Sequence, residues 1–195
     1  MLTPESSAGW YGKLPVLGDF AQRRLPPEFV EAWDAWLAQG LATWQARDDA
    51  WLDSYLSGPS WRFILGPGVI GPQSWAGVLM PSCDRVGRYF PLGIAQAIAL
   101  PASDTAAQGL LDWLLRLDDL AVDALQDDWP VEQFEAELAR VALQETEHVG
   151  PMAEELLQLA PGQTFWISQG AQGEPVTRRY AGLPPVVALL GAPAA

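Results

Sequence analysis

The sequence predicts an α+β fold, an antiparallel sheet of about five strands flanked by helices. Two observations carry this reading. Three short apolar runs, 61–65, 75–80 and 93–100, follow one another through loops too short for a crossover helix, as in an antiparallel meander. On either side of them, residues 28–45 and 110–125 repeat apolar side chains every three or four positions, the period of a helix with one buried face.

In chain order, residues 9–20 (GWYGKLPVLGDF) read as a short strand leading into a tight loop punctuated by Gly12, Pro15 and Gly18. Arg23 and Arg24 follow, and Pro26 and Pro27 suit the start of a helix. Phe29, Trp33, Trp36, Leu37, Leu41 and Trp44 give that helix an aromatic stripe, which is read as core and not as a cofactor box. Trp51, Leu52, Tyr55 and Leu56 add a short helical turn that Gly58 and Pro59 stop. Residues 61–65 are a strand. The GPGVIGP loop at 66–72 matches G-x-G-x-x-G, but Pro67 and Pro72 remove amide donors and no helix begins there, so a hairpin-like connection is the better account.

Residues 75–92 are the stretch around which the chain is organised. A strand through Val78, Leu79 and Met80 breaks at Pro81, then Asp84, Arg85, Arg88, Tyr89 and Phe90 crowd around Gly87. Gly87 is expected to make a backbone turn that a side chain would hinder. After the strand at 93–100, Ser103 or Asp104 caps a helix carrying Leu110, Leu111, Leu114, Leu117 and Leu120 to about Leu125. Asp118, Asp119 and Asp123 lie where the helix dipole gives them no help and are expected to point to water. Pro130 restarts a helix with Phe134, Leu138 and Val141 inward and Glu132, Glu135 and Glu137 outward; Pro151 starts a shorter one through Leu159. Residues 163–168 read as a strand and 183–190 as a last edge strand, its prolines keeping it at a margin. One domain over 1–195 is the expectation, with an acidic helical part at about 103–160 and C-terminal strands at about 163–190.

The net charge of −13 is uneven: residues 1–100 hold seven basic and nine acidic side chains, residues 101–195 four and fifteen. Free nucleic acid and anionic membranes are therefore poor partners for the second half, and a binding surface for an anionic group is sought in the first. No apolar run reaches the length of a membrane span, and the first ten residues lack the basic region and apolar stretch of a signal peptide. With a single cysteine, Cys83, an intrachain disulfide is impossible, and a cytoplasmic location is the simplest reading.

Chemistry is sparse. A nucleophile reading needs Cys83 and the only histidine, His148. Asp84 beside Cys83 raises a thiol pKa, with Arg85 as a partial offset, and His148 sits in the acidic stretch 145–148, read as a solvated helix end. One His and one Cys build no usual zinc site, and no cofactor motif is present. The remaining polar constellation is Lys13, Asp19, Arg23, Arg24, Arg62, Asp84, Arg85 and Arg88. In one reading Asp19 and Asp84 pair with arginines and tie two loops together through directional guanidinium–carboxylate bonds, with Asp19, Asp84 and Arg88 mainly structural. In the other the surplus cations form a docking patch, with Arg23, Arg24 and Arg85 facing outward. The two are compatible.

The segments 9–20, Arg23-Arg24-Leu25-Pro26 and the Phe29–Leu37 helix resemble the start of the TagF (ImpM) family, which accompanies bacterial type VI secretion systems. Trp61-Arg62-Phe63, Gly66-Pro67-Gly68, residues 75–82 and residues 84–92 are similar to the family's second block, in order and spacing. The Phe165-Trp166 strand is similar to an aromatic strand near its C-terminus. The resemblance implies a cytoplasmic accessory protein that acts after translation to restrain the secretion machine. It also implies a link to the forkhead-associated scaffold Fha and, in some bacteria, to the phosphatase PppA, and an α+β fold with some likeness to longin-type domains. A non-enzymatic regulator binding through loops 12–24 and 81–92 is thus expected. The alternative is a cryptic Cys83-dependent hydrolase or redox protein, and oligomeric state is left open.

Overall fold

The computed structural model of the chain describes residues 7–142, 144, 146 and 148–191. Glu145 and Glu147, read from sequence as part of a helix end around His148, lie outside these, as do residues 1–6, where an export signal was sought. The elements run β1 (Gly9–Gly12), β2 (Ala21–Arg23), α1 (Pro27–Gln45), α2 (Trp51–Leu56), β3 (Trp61–Leu65), β4 (Ser74–Met80), β5 (Leu92–Ile98), α3 (Asp104–Gln126), α4 (Val131–Leu138), α5 (Pro151–Leu157), β6 (Gln163–Gln169), β7 (Pro175–Ala181) and α6 (Val186–Leu190). The α+β class holds. Among the described residues the sheet has seven strands rather than about five, all antiparallel, in the order β2-β1-β5-β4-β3-β6-β7.

Helices cover both faces. Period-two alternation sends Trp61, Phe63 and Leu65 of β3 towards α1, α2 and α6, and Ile64 towards α3, α4 and α5. Every residue of β4 is buried, because both its faces are roofed. On the first face the α1 stripe Phe29, Trp33, Leu37, Leu41 and Trp44 is buried, and Trp33 packs its ring 5.0 Å from that of Phe63. On the second, Ser103 caps α3 by accepting from the Ala106 amide, and Leu110, Leu111, Leu114, Leu117 and Leu120 meet the sheet.

Three expectations need correction. Residues 183–190 are not an edge strand: Pro184 and Pro185 precede the short helix α6, where fixed φ angles help rather than hinder. The indoles of Trp36 and Trp61 hold this segment down by donating to the carbonyls of Pro184 and Leu189, at 2.8 and 2.6 Å. The edge belongs to β7, whose alternate residues Val176, Arg178 and Tyr180 turn inward; an arginine on the inward side hides the alternation, and its guanidinium lies 4.9 Å from the Trp61 ring centre. Second, Asp118 does not point to water. It is largely buried on α3 opposite Arg62 of β3, Nε to Oδ2 3.7 Å, whereas Asp119 and Asp123 are exposed. Third, Glu135 of α4 turns back onto the sheet edge instead of outward. Glu132 stays exposed; Glu137 is half-buried and pairs with Arg140.

Trp33→Ala should cost about 3–5 kcal/mol, since it empties a large buried aromatic site. Trp36→Ala, at a half-buried position, should cost less. Denaturant unfolding of both variants checks the order, and equal, negligible losses would mean that the stripe is not core.

Candidate functional site

The loops after β1 and β4 meet at one end of the sheet. Gly12 makes the approach possible: its φ is +133°, and a Cβ there would lie 2.1 Å from the Pro91 carbonyl oxygen. Lys13 follows directly and turns its side chain inward, where Nζ donates to Asp84 Oδ2 at 2.5 Å. Both side chains are buried, 4% and 0% exposed.

Asp84 has a full set of donors. Arg88 Nε reaches Oδ2 at 2.7 Å, while the Val86 and Arg88 amides donate to Oδ1 at 3.0 and 2.9 Å. The Gly87 amide donates to the Asp84 carbonyl at 3.0 Å, closing a tight turn, and Gly87 takes φ +78°. Burial pushes the Asp84 carboxyl up, but the bonds from Lys13, Arg88 and Val86 outweigh it and hold it well below the usual carboxylate range. The Arg88 guanidinium continues across the gap to the Gly18 carbonyl at 2.5 Å, and the Arg85 amide donates to the Leu17 carbonyl at 2.9 Å.

Three hydrogen bonds fix the rear of the turn. The Tyr55 hydroxyl donates to the Ser82 carbonyl and accepts from the Ser82 amide, both at 2.9 Å; the Ser82 hydroxyl donates to the Lys13 carbonyl at 2.8 Å. Phe20 stacks on Tyr11 and meets Phe90 edge-on with ring centres 4.8 Å apart, and Lys13 Nζ lies 4.7 Å from its ring centre. Phe20 nevertheless stays 44% exposed.

The constellation read from sequence therefore divides. Lys13, Asp84 and Arg88 come together. Asp19 is exposed, its Oδ1 accepting from the Phe20 amide at 2.8 Å and lying 3.9 Å from Arg88 Nη2. Arg23 and Arg85 face solvent. Arg24 is not free: at φ +60° it turns its guanidinium onto the Ala8 carbonyl and Glu135, which also accepts from the Trp10 indole at 2.5 Å. Arg62 lies elsewhere, opposite Asp118. Tyr55 and Glu135 were missed as loop anchors. Nothing local marks them, since each acts on a residue at least 27 positions away.

Cys83 is half-buried and bridges Tyr89 across the turn. Burial pushes its thiol up, Asp84 and Asp128 push it further, and Lys13 offsets this only partly, so the site does not favour a thiolate. His148 is exposed in the loop between α4 and α5. Among the described residues no group of three or more His, Cys, Asp and Glu side chains could hold a metal ion, and no helix is long and apolar enough to cross a membrane.

A family model described as TagF N-terminal domain, type VI secretion system-associated, matches residues 9–141. Among solved structures, the chain is similar to PA0076 from Pseudomonas aeruginosa PAO1, whose crystal structure was determined at 2.05 Å resolution. The two are 37% identical over 95% of this chain and 92% of that one, with a TM-score of 0.75. No curated protein matches the chain.

The depressed carboxyl sets a pH signature. Its stabilisation is complete above the unfolded-state pKa of about 3.9 and is lost as pH falls from there towards the lower folded value. The melting-temperature gap between wild type and Asp84→Asn should be constant from neutral pH to about 5 and narrow below about 4. A gap independent of pH across that range would remove the carboxylate from the hub.

Proposed function

The chain belongs to the TagF N-terminal domain family of type VI secretion system-associated proteins, and we propose that it is a cytoplasmic, non-enzymatic accessory protein that restrains secretion after translation by binding a component of the machine. The proposed partner is a forkhead-associated scaffold of the Fha type, with a PppA-type phosphatase linked to the same control. The contact surface is the pair of loops at 12–24 and 81–92.

One observation carries this reading beyond the family match. A loop pair at the end of the sheet is tied by a dense set of bonds, and these bonds support a surface rather than a reactive group. A buried ion pair, two amide donors and a tyrosine clamp hold a turn whose outward side chains are Arg85, Val86 and Arg88. A turn whose backbone is already fixed suits protein recognition, because little backbone entropy remains to be lost on binding.

Deleting the gene should raise release of the secretion tube protein into the medium severalfold, read by immunoblot, and re-expression should restore restraint. Unchanged release would overturn the restraint reading. The purified chain should also retain the forkhead-associated scaffold in pull-down. Cys83→Ala should restrain secretion as wild type does; loss of restraint in a normally folded variant would reopen the thiol reading.

A further inference from the structure

The Asp84–Gly87 turn ends in two side chains with no role inside the molecule. Among the described residues the Arg85 guanidinium makes no hydrogen bond or ion pair, although its backbone is fixed by the bond to the Leu17 carbonyl. Val86, next to it, is 66% exposed, the highest value among the large apolar side chains described. Its amide is nevertheless bound to the buried Asp84 carboxylate. Phe20, on the adjoining loop, is held by Tyr11, Phe90 and Lys13 yet stays 44% exposed. Fold stability needs neither an unpaired arginine nor an uncovered valine at this place.

Charge selects what covers them. The chain carries −13, and residues 101–195 carry four basic against fifteen acidic side chains, so a polyanion or an anionic bilayer is repelled by most of the molecule. At the turn itself Arg85 is the surplus cation: Asp84 is buried and already bonded to Lys13 and Arg88, and the exposed Asp19 lies 3.9 Å from Arg88. This is a small positive island with apolar tips, too few cations for a phosphate backbone but matched to a carboxylate-bearing protein face.

We propose that the Arg85–Val86 turn, with Phe20 beside it, docks into an acidic protein surface that has an apolar recess, the recess taking Val86 and Phe20 and a carboxylate at its rim pairing with Arg85. This rests on the reading above that the chain works by binding a secretion component, and it fixes the chemistry of that component's face. Arginine forks carboxylates bidentately, so Arg85 sets register while the valine and phenylalanine exclude water around it.

The test uses Arg85→Glu and Val86→Ser, singly and together, in the full chain. Because neither side chain has an internal partner, both variants should melt as wild type does. In cells at wild-type abundance the double variant should release secretion as fully as deletion of the gene does. Intact restraint by the double variant, where deletion does release secretion, overturns the docking site and leaves the regulator reading standing. With the purified forkhead-associated scaffold as probe, Arg85→Glu should weaken binding by about tenfold or more. It should also flatten the salt dependence seen with wild type. A photo-crosslinking residue at position 86, in secreting cells, identifies the docked face by mass spectrometry whether or not the scaffold binds. Capture of an Asp- and Glu-rich surface of a secretion component, lost with Arg85→Glu, supports the proposal. Capture of a neutral or basic face, of a second copy of this chain, or of nothing overturns it.

Discussion

The buried Lys13–Asp84 pair is the constraint on which the loop end of the molecule depends. Taking two charges out of water is costly unless they meet and their remaining bonding capacity is filled. Here each carboxylate oxygen has two donors, drawn from Lys13 on one loop and from Val86 and Arg88 on the other. The Asp84 turn supplies three of those four donors itself, but the loop after β1 cannot take its shape without that turn unless the Lys13 charge is stranded. The first loop therefore depends on the second, and Gly12, which lets the backbones touch, is part of the same constraint. Outward from the pair, the order passes through backbone amides to Arg85 and Val86.

The sheet supplies the platform. Each face is roofed by helices, and indole N–H groups act as clamps on both sides: Trp36 and Trp61 on the C-terminal segment, Trp113 on the Val141 carbonyl, Trp10 on Glu135. Trp36, Trp61 and Trp113 thus serve two purposes, filling volume and tying distant backbone to the core, whereas the buried Nε1 groups of Trp33 and Trp75 have no hydrogen-bond partner. The Arg62–Asp118 pair is the counterexample on the second face. Burial there lowers the arginine's pKa and raises the carboxyl's, and Arg62 Nε and Asp118 Oδ1 have no hydrogen-bond partner.

What the sequence showed follows from the range of the forces involved. The α1 stripe, the β3–β5 meander, the Ser103 cap and the Gly87 turn are local, and each left a local pattern of period, punctuation or capping residue. The edge of the sheet was misread because Arg178 breaks the alternation of β7, while two prolines made 183–190 look like a margin strand. Asp118 was placed in water by the helix dipole and Glu135 by helix-face logic, and neither sees Arg62 on the strand beneath or Arg24 some 111 residues away. At the candidate site, Asp84 and Arg88 were legible from their crowding around Gly87. That Lys13 supplies the second cation was not, because nothing in GKLP says that the lysine turns inward.

The strand order carries one more consequence. The family match ends at residue 141, yet the outer edge of β3 is paired only by β6, residues 163–169. A nascent chain that has emerged as far as α4 has five contiguous strands and an aromatic-rich open edge, Trp61 to Leu65, with unpaired amides and carbonyls. Until β6 is made, that edge stands open to pairing with a strand of another chain. The acidic helical segment between β5 and β6 gives the waiting intermediate a net negative charge, which opposes such pairing. Pairing of β6 with β3, and of β7 with β6, moves the edge of the sheet from an aromatic strand to one that carries Arg178 and Arg179.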